Sequence, residues 1–246
     1  MTSLIFYERP VALNPERHGK TKLALTGDFS FSRATNSVLI TATELADASA
    51  SFPVLFVGTP AEGFGLAAMV GLKDRDNLFV NDDGKWDAES YLPAFVRRYP
   101  FVLAEGGPVA DELTVCVDEA FAGLNTEHGE ALFDDKGAPT PMLQGAVDFL
   151  RLFHDEMLRT HAFAQRVAAL DVLVPKNVEV EHAGAKQVVE GVYIVDTERL
   201  HALDDATLAR LVRSGDMQLI DAHLMSLKMI PRLISRLERR GSATAQ

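Results

Sequence analysis

Seven histidines, 35 aspartates and glutamates and a single cysteine are the raw material for any chemistry this chain could perform. Histidine titrates near neutral pH, so acid–base work is sought there first. The histidines are His18, His128, His154, His161, His182, His201 and His223. No two stand four apart, the spacing that sets paired imidazoles on one helix face for zinc. His154 and His161 stand seven apart, beside Asp155 and Glu156, and read as a surface or part-packed polar patch. Asp221 and His223 are two apart, so on a helix they point to different sides and form no dyad alone. A catalytic site would need distant segments to converge, with His18, Asp28, Asp221 and His223 as the candidate polar site.

Other patterns weaken on inspection. Gly63-Phe-Gly65-Leu-Ala-Ala68 resembles a dinucleotide fingerprint, but Gly58–Glu62 separates it from the preceding strand and Gly71 would cut the required helix short. It reads as a glycine-bearing turn into a strand. Asp74, Asp76, Asn77, Asp82 and Asp83 crowd oxygen ligands together, yet a calcium loop counted from Asp74 would put Phe79 where glycine belongs and Lys85 where glutamate belongs. Cys116 lies in a strand pattern and reads as a small buried thiol. Neither a nucleophile elbow nor a phosphate-binding glycine loop ending in Lys-Ser/Thr is present. Catalytic residues stay unassigned, and neither a cofactor nor a metal is expected.

One electrostatic feature is better defined. Lys228, Arg232, Arg236 and Arg240 recur every four residues, with Arg239 alongside and Met229, Ile230, Leu233, Ile234 and Leu237 opposite. The bland reading is a docked amphipathic helix with a solvated basic face. The functional reading is a partner surface for an acidic protein or an anionic surface.

The elements that must position these residues follow from local pattern. Residues 1–36 read as irregular. Ser37–Ile40 reads as a strand, followed by the capping box Thr41-Ala-Thr-Glu44 and a short helix over 42–50. Pro53–Val57, Phe64–Leu72 and Leu78–Val80 read as strands, the last closed by the turn Asn81–Gly84. Tyr91–Tyr99 reads as a helix with Pro93 in its first turn. Phe101–Ala104 and Leu113–Asp118 read as strands about a Gly-Gly-Pro turn. Thr140-Pro141 starts a long helix running to about Leu170. Val178–Glu181 and Val188–Val195 form a hairpin about His182–Ala185. Asp204 and Asp205 cap a helix ended by Gly215, and a last helix covers about 217–240 with a break at Pro231. The order predicts an α+β fold: a β-rich N-terminal half, a long central helix, a β-hairpin and C-terminal helices. A single domain over 1–246 is expected, with residues 119–139 as a seam between sub-lobes 1–135 and 140–240.

Bulk properties exclude several classes. With 47% apolar residues the chain has the mass for a packed core. The longest apolar candidate, Gly63–Leu72, has ten residues, too short to span a bilayer. The formal net charge of −11 argues against a general nucleic-acid binder. The apolar stretch Leu4–Tyr7 is too short for a secretory signal, so the cytoplasm is the default compartment.

Several long segments, in order, resemble the bacterial SapC family over nearly the whole chain. They are Tyr7-Glu-Arg-Pro-Val11 with Leu13 and Arg17-His18; Gly27–Phe31; Pro53–Val57; Leu72–Val80 with Trp86; Pro93–Phe101; Leu132–Gly137; Gly191–Asp196; and Ala222–Leu227. The resemblance implies a link to the bacterial surface layer, and members also carry the label of peptide transport components. A transport permease would need spanning helices that are not found here. A surface location would require leaderless export. The family transfers no catalytic residue. The leading expectation is therefore a non-catalytic accessory or binding protein. The alternatives are a cytosolic enzyme or small-molecule-binding protein with an unfamiliar site, and a partner-docking module using the basic helix.

Overall fold

A computed structural model describes residues 4–104, 113–182 and 185–244, without the side chains of 179–187 and 242–244. In chain order the elements are β1 (Pro10–Ala12), α1 (Pro15–His18), β2 (Lys22–Leu23), β3 (Ser37–Leu39), α2 (Leu45–Ser49), β4 (Val54–Thr59), β5 (Gly63–Met69), α3 (Ala94–Arg97), β6 (Phe101–Ala104) and β7 (Thr114–Asp118). There follow β8 (Leu124–Asn125), β9 (Glu130–Ala131), α4 (Pro141–Ala168), β10 (Leu173–His182), β11 (Ala185–Val195), α5 (Thr197–His201), α6 (Asp205–Ser214), α7 (Asp216–Ser226) and α8 (Ile230–Thr244). The fold is α+β, as expected. The Gly-Gly-Pro turn and the centre of the His182–Ala185 turn lie outside the described residues.

The main sheet has five strands in the order β10-β11-β4-β5-β3, antiparallel throughout. Two three-stranded sheets, β1-β7-β6 and β8-β2-β9, complete the strand layer. One face of the main sheet packs against α4, where the Phe56 and Phe163 rings lie 6.1 Å apart. That approach is close: a Cβ on Gly63 would sit 2.3 Å from Gln165 Nε2 and 2.8 Å from His161 Cε1. Gly63 (φ 90) thus serves the hairpin turn and helix packing, as the turn-into-strand reading required.

Two apolar clusters form, and α4 belongs to both. Its first half gives Leu143 and Leu150 to a smaller core with Leu23, Phe101, Val117 and Leu132. Its second half gives Phe163, Ala164 and Val167 to the larger core on the main sheet. The helix begins as its sequence predicts, with Pro141 in the first turn and the Thr140 hydroxyl accepting from the Leu143 amide at 3.4 Å.

Four local expectations change. Residues 1–36, read as irregular, contain β1, α1 and β2, whose strands pair with β7 and with β8 and β9. Leu78–Val80 is not a ladder strand; only Val80 bridges Trp86. The Asn77 side chain accepts the Phe79 amide and donates to Ser32 O, a local alternative that competes with strand pairing. The 91–99 helix shrinks to α3, with Pro93 as its N-cap, because the Glu44 carboxylate accepts the Ala94 amide at 2.6 Å and fixes the start there. The hairpin's first strand extends back to Leu173 despite Pro175, since β10 is an edge strand whose outer side needs no donor.

Candidate functional site

The four residues of the candidate polar site go to separate places. His18 is buried at the end of α1, with Nδ1 3.1 Å from the Asn14 amide nitrogen and Nε2 3.3 Å from Glu119. Glu119 also collects Arg17 and Arg9. The hydrogen bond from Arg17 is the main reason its carboxyl stays below the usual range. Asp28 is exposed and accepts the Ser30 amide at 2.8 Å, closing its own turn. Asp221 faces solvent on α7. His223, two residues on, is fully buried. Among the described residues these four share no hydrogen bond or ion pair, and the structure does not bring them together. Asp28 closes its own turn and Asp221 faces solvent, whereas His18 and His223 take partners from distant segments, 101 and 169 residues away.

His223 holds the best-defined polar geometry in the protein. The β4–β11 register pairs Val57 with Val192 and Phe56 with Tyr193. Two steps further, Val54 and Val195 would pair, and the imidazole stands between them instead. Val195 N–H donates to Nε2 at 3.1 Å, and Nδ1–H donates to Val54 O at 2.7 Å. Three residues on, one helical turn, Ser226 Oγ accepts the Val54 amide at 3.0 Å and donates to His223 O at 2.6 Å. The ring must be neutral with its proton on Nδ1. Burial pushes its pKa down to about 4, against a smaller upward pull from the Val54 carbonyl. This histidine splices two strands to α7 and has no ring nitrogen left for a substrate.

Glu44 and Asp118 play the same structural part; sequence marked Glu44 only as a helix cap and did not mark Asp118. Glu44 completes the capping box with Thr41 and also accepts from Tyr91 Oη and the Ala94 amide. Asp118 accepts from the Glu8, Arg9 and Ala120 amides and from Tyr99 Oη. The capping box was readable; the tertiary donors, 19 to 110 residues away, carried no sequence signal. Cys116 is buried, as expected, and burial pushes its thiol pKa up, away from a reactive thiolate.

The basic stripe divides. Arg236 pairs with Asp87 and lies 4.3 Å from the centre of the Phe79 ring. Burial works against the Asp87 carboxylate, but hydrogen bonds from Arg236 and Ser90 outweigh it and hold its pKa low. Arg240 reaches Asp76 Oδ1 at 3.2 Å, Asn77 O at 2.9 Å and Val80 O at 3.1 Å. These two arginines dock α8 onto the acidic 76–90 loop, so two features that looked separate in sequence answer each other. Lys228 and Arg232 point outward, with Arg239 beside them. An open cleft of about 800 Å³ runs between α8 and residues 78–89. Among the described residues no group of three or more His, Cys, Asp or Glu side chains is placed to hold a metal ion. Nor, among them, is any helix long and apolar enough to cross a membrane.

No curated protein and no solved structure matches this chain. The profile of one family, described as SapC, matches residues 13–233, which contain all of the paired strands but β1 and all of the helices but α8, of which only the start at Ile230–Leu233 is covered. On that extent of agreement, the chain belongs to the SapC family.

Proposed function

We propose that this SapC protein is a non-catalytic accessory protein that binds an acidic segment of another protein through the outward face of α8, in association with the bacterial surface layer. The division of the basic stripe carries this reading. Arg236 and Arg240 fix the helix, while Lys228 in the turn before it and Arg232 and Arg239 on it face solvent as a basic edge. From Ile230 to Thr244 there are four arginines against one glutamate, in a chain of formal net charge −11. A local basic edge on an acidic body selects partners by charge and orients their encounter. The interior agrees: His18, Glu44, Asp118 and His223 spend their polar atoms on the fold.

The test is binding of the full-length protein to a poly-L-glutamate peptide, beside vesicles containing phosphatidylglycerol. Saturable peptide binding that weakens with salt and disappears in the Lys228→Glu/Arg232→Glu/Arg239→Glu variant supports the reading. Arg236 is left alone because it holds the helix. Peptide binding unchanged by the triple reversal, no peptide binding, or preference for vesicles rejects it. Fractionation of the source bacterium tests the surface link, and protein found only in cytosol would reject that part.

A further inference from the structure

We propose that the second face of the main sheet, the one turned away from α4, is a binding site for a small zwitterion with an apolar body. This site shares no residue with the α8 edge, so either proposal can fail without the other.

Strand register builds the floor. Leu55 pairs with Ala67, Val57 with Val192, and Ser37 with Met69, which sets these side chains on one face. Leu55, Val57, Ala67, Met69 and Val192 line a cavity of about 190 Å³. The roof comes from β11. Its ladder with β10 slips by one residue between Lys176 and Val178, opposite Gly191 at φ 74. A bulge of this kind bends its strand. Val189 and Glu190 thereby border the cavity, together with Asn36 across the sheet.

The same three residues, Asn36, Val189 and Glu190, also line a wider cleft of about 400 Å³. Its far rim is Leu72, Lys73 and Asp74. The turn behind that rim is closed tightly, since a Cβ on Gly71 would sit 1.7 Å from Asp76 O. Lys73 and Asp74 stand at the mouth.

The polar groups of this mouth differ from the two arginines that dock α8. In the α8 cleft Arg236 and Arg240 are paired with Asp87 and Asp76. Here the side chains of Asn36, Ser37, Lys73, Asp74 and Glu190 make no hydrogen bond or ion pair with any described residue. An apolar cavity ringed by a few convergent polar groups is the usual form of a small-molecule site. One ammonium and two carboxylates call for both charges in the ligand. Its carboxylate would meet Lys73 and the Asn36 amide, and its ammonium would meet Glu190 and Asp74. The body would lie on the Val57–Met69 floor, where the space suits a side chain of amino-acid size.

Calorimetric titration of the full-length protein with L-phenylalanine tests this, beside phenethylamine, 3-phenylpropanoate and glycine. Each comparator lacks one charge or the apolar body. Saturable binding of L-phenylalanine, about tenfold or more tighter than any comparator, is expected. Lys73→Ala and Glu190→Ala, both at the rim, should each weaken it about tenfold with unchanged melting. Val57→Phe should fill the cavity and abolish it; if that variant does not fold, the two rim variants decide. Absence of saturable binding up to about 10 mM overturns the proposal. So does equal binding of a comparator, or affinity unmoved by both rim variants.

Discussion

Two helices are fastened to the same core by opposite means. α7 is held from within by His223 and Ser226, neutral groups that complete the backbone hydrogen bonds of Val54 and Val195 with no exposed surface. α8 buries Leu233 and Leu237 in that core, and its polar fastening lies outside it: Arg236 and Arg240, charged groups on half-exposed stems, reach the carboxylates and carbonyls of the 76–90 loop. The first attachment gains its strength from exclusion of water, because an unmade bond there leaves a buried backbone group bare. The second gains direction more than free energy, since exposed ion pairs are worth little and weaken with salt. Loss of one should unlock the sheet; loss of the other should loosen only a terminal helix.

The sharpest way to break this contrast is His223→Ala. It strips a partner from both Val54 O and Val195 N–H and leaves a cavity, so a loss of about 3–5 kcal/mol in urea unfolding is expected. A loss below about 1 kcal/mol would mean that the two strands simply pair directly and the histidine is dispensable.

Acid should separate the two attachments. The folded-state pKa of His223, about 4, lies below its ordinary 6.5, so folding favours the neutral ring. Its stability contribution is complete above the unfolded value and declines as pH falls from 6.5 through about 4. By linkage, roughly 3 kcal/mol is at stake. The Asp87 carboxyl, held below its usual range, keeps its pairing with Arg236 through that window and loses it only at lower pH. Stability of the wild type should therefore fall between pH 6.5 and 4, and that portion of the slope should vanish in His223→Ala. An identical slope in both proteins would detach the effect from this residue.

Smaller effects sharpen the same contrast. Ser226→Ala leaves the Val54 amide without its side-chain acceptor and should cost about 1–3 kcal/mol. Arg240→Ala should cost about 1 kcal/mol or less globally. Its signature is local: faster amide hydrogen exchange in α8 with α7 unchanged. Raising salt to about 1 M should speed exchange in α8 alone, by the screening that leaves buried neutral contacts untouched. Equal acceleration in both helices would erase the distinction.

The contrast also explains which features were legible in sequence. The basic repeat from Lys228 to Arg240 and the acidic run from Asp74 to Asp83 were both visible. That Arg236 would meet Asp87 and Arg240 would meet Asp76 was not, because 149 and 164 residues separate the partners. His223 stood out as a candidate acid–base group, but its neighbour in sequence, Asp221, faces solvent and contributes nothing to it. Ser226, its working companion, drew no notice; the i, i+3 spacing on one helix face was its only local signal. The five uncommitted polar groups around the second sheet face come from three distant segments and had no shared pattern at all.

By itself, the amino-acid sequence determined the features that arise within one turn or one strand. The Thr41–Glu44 box, the Thr140-Pro141 helix start, the Gly215 stop, the apolar run of β4 and the hairpin of β10 and β11 all depend on neighbours a few residues away. Family membership was legible for a related reason, since ordered segments can be compared without knowing what they touch. Tertiary structure alone decided which polar groups were consumed and which stayed available. A buried imidazole, a carboxylate or a guanidinium satisfies its hydrogen bonds with whatever backbone folding brings beside it, and that choice is made across the whole length of the chain.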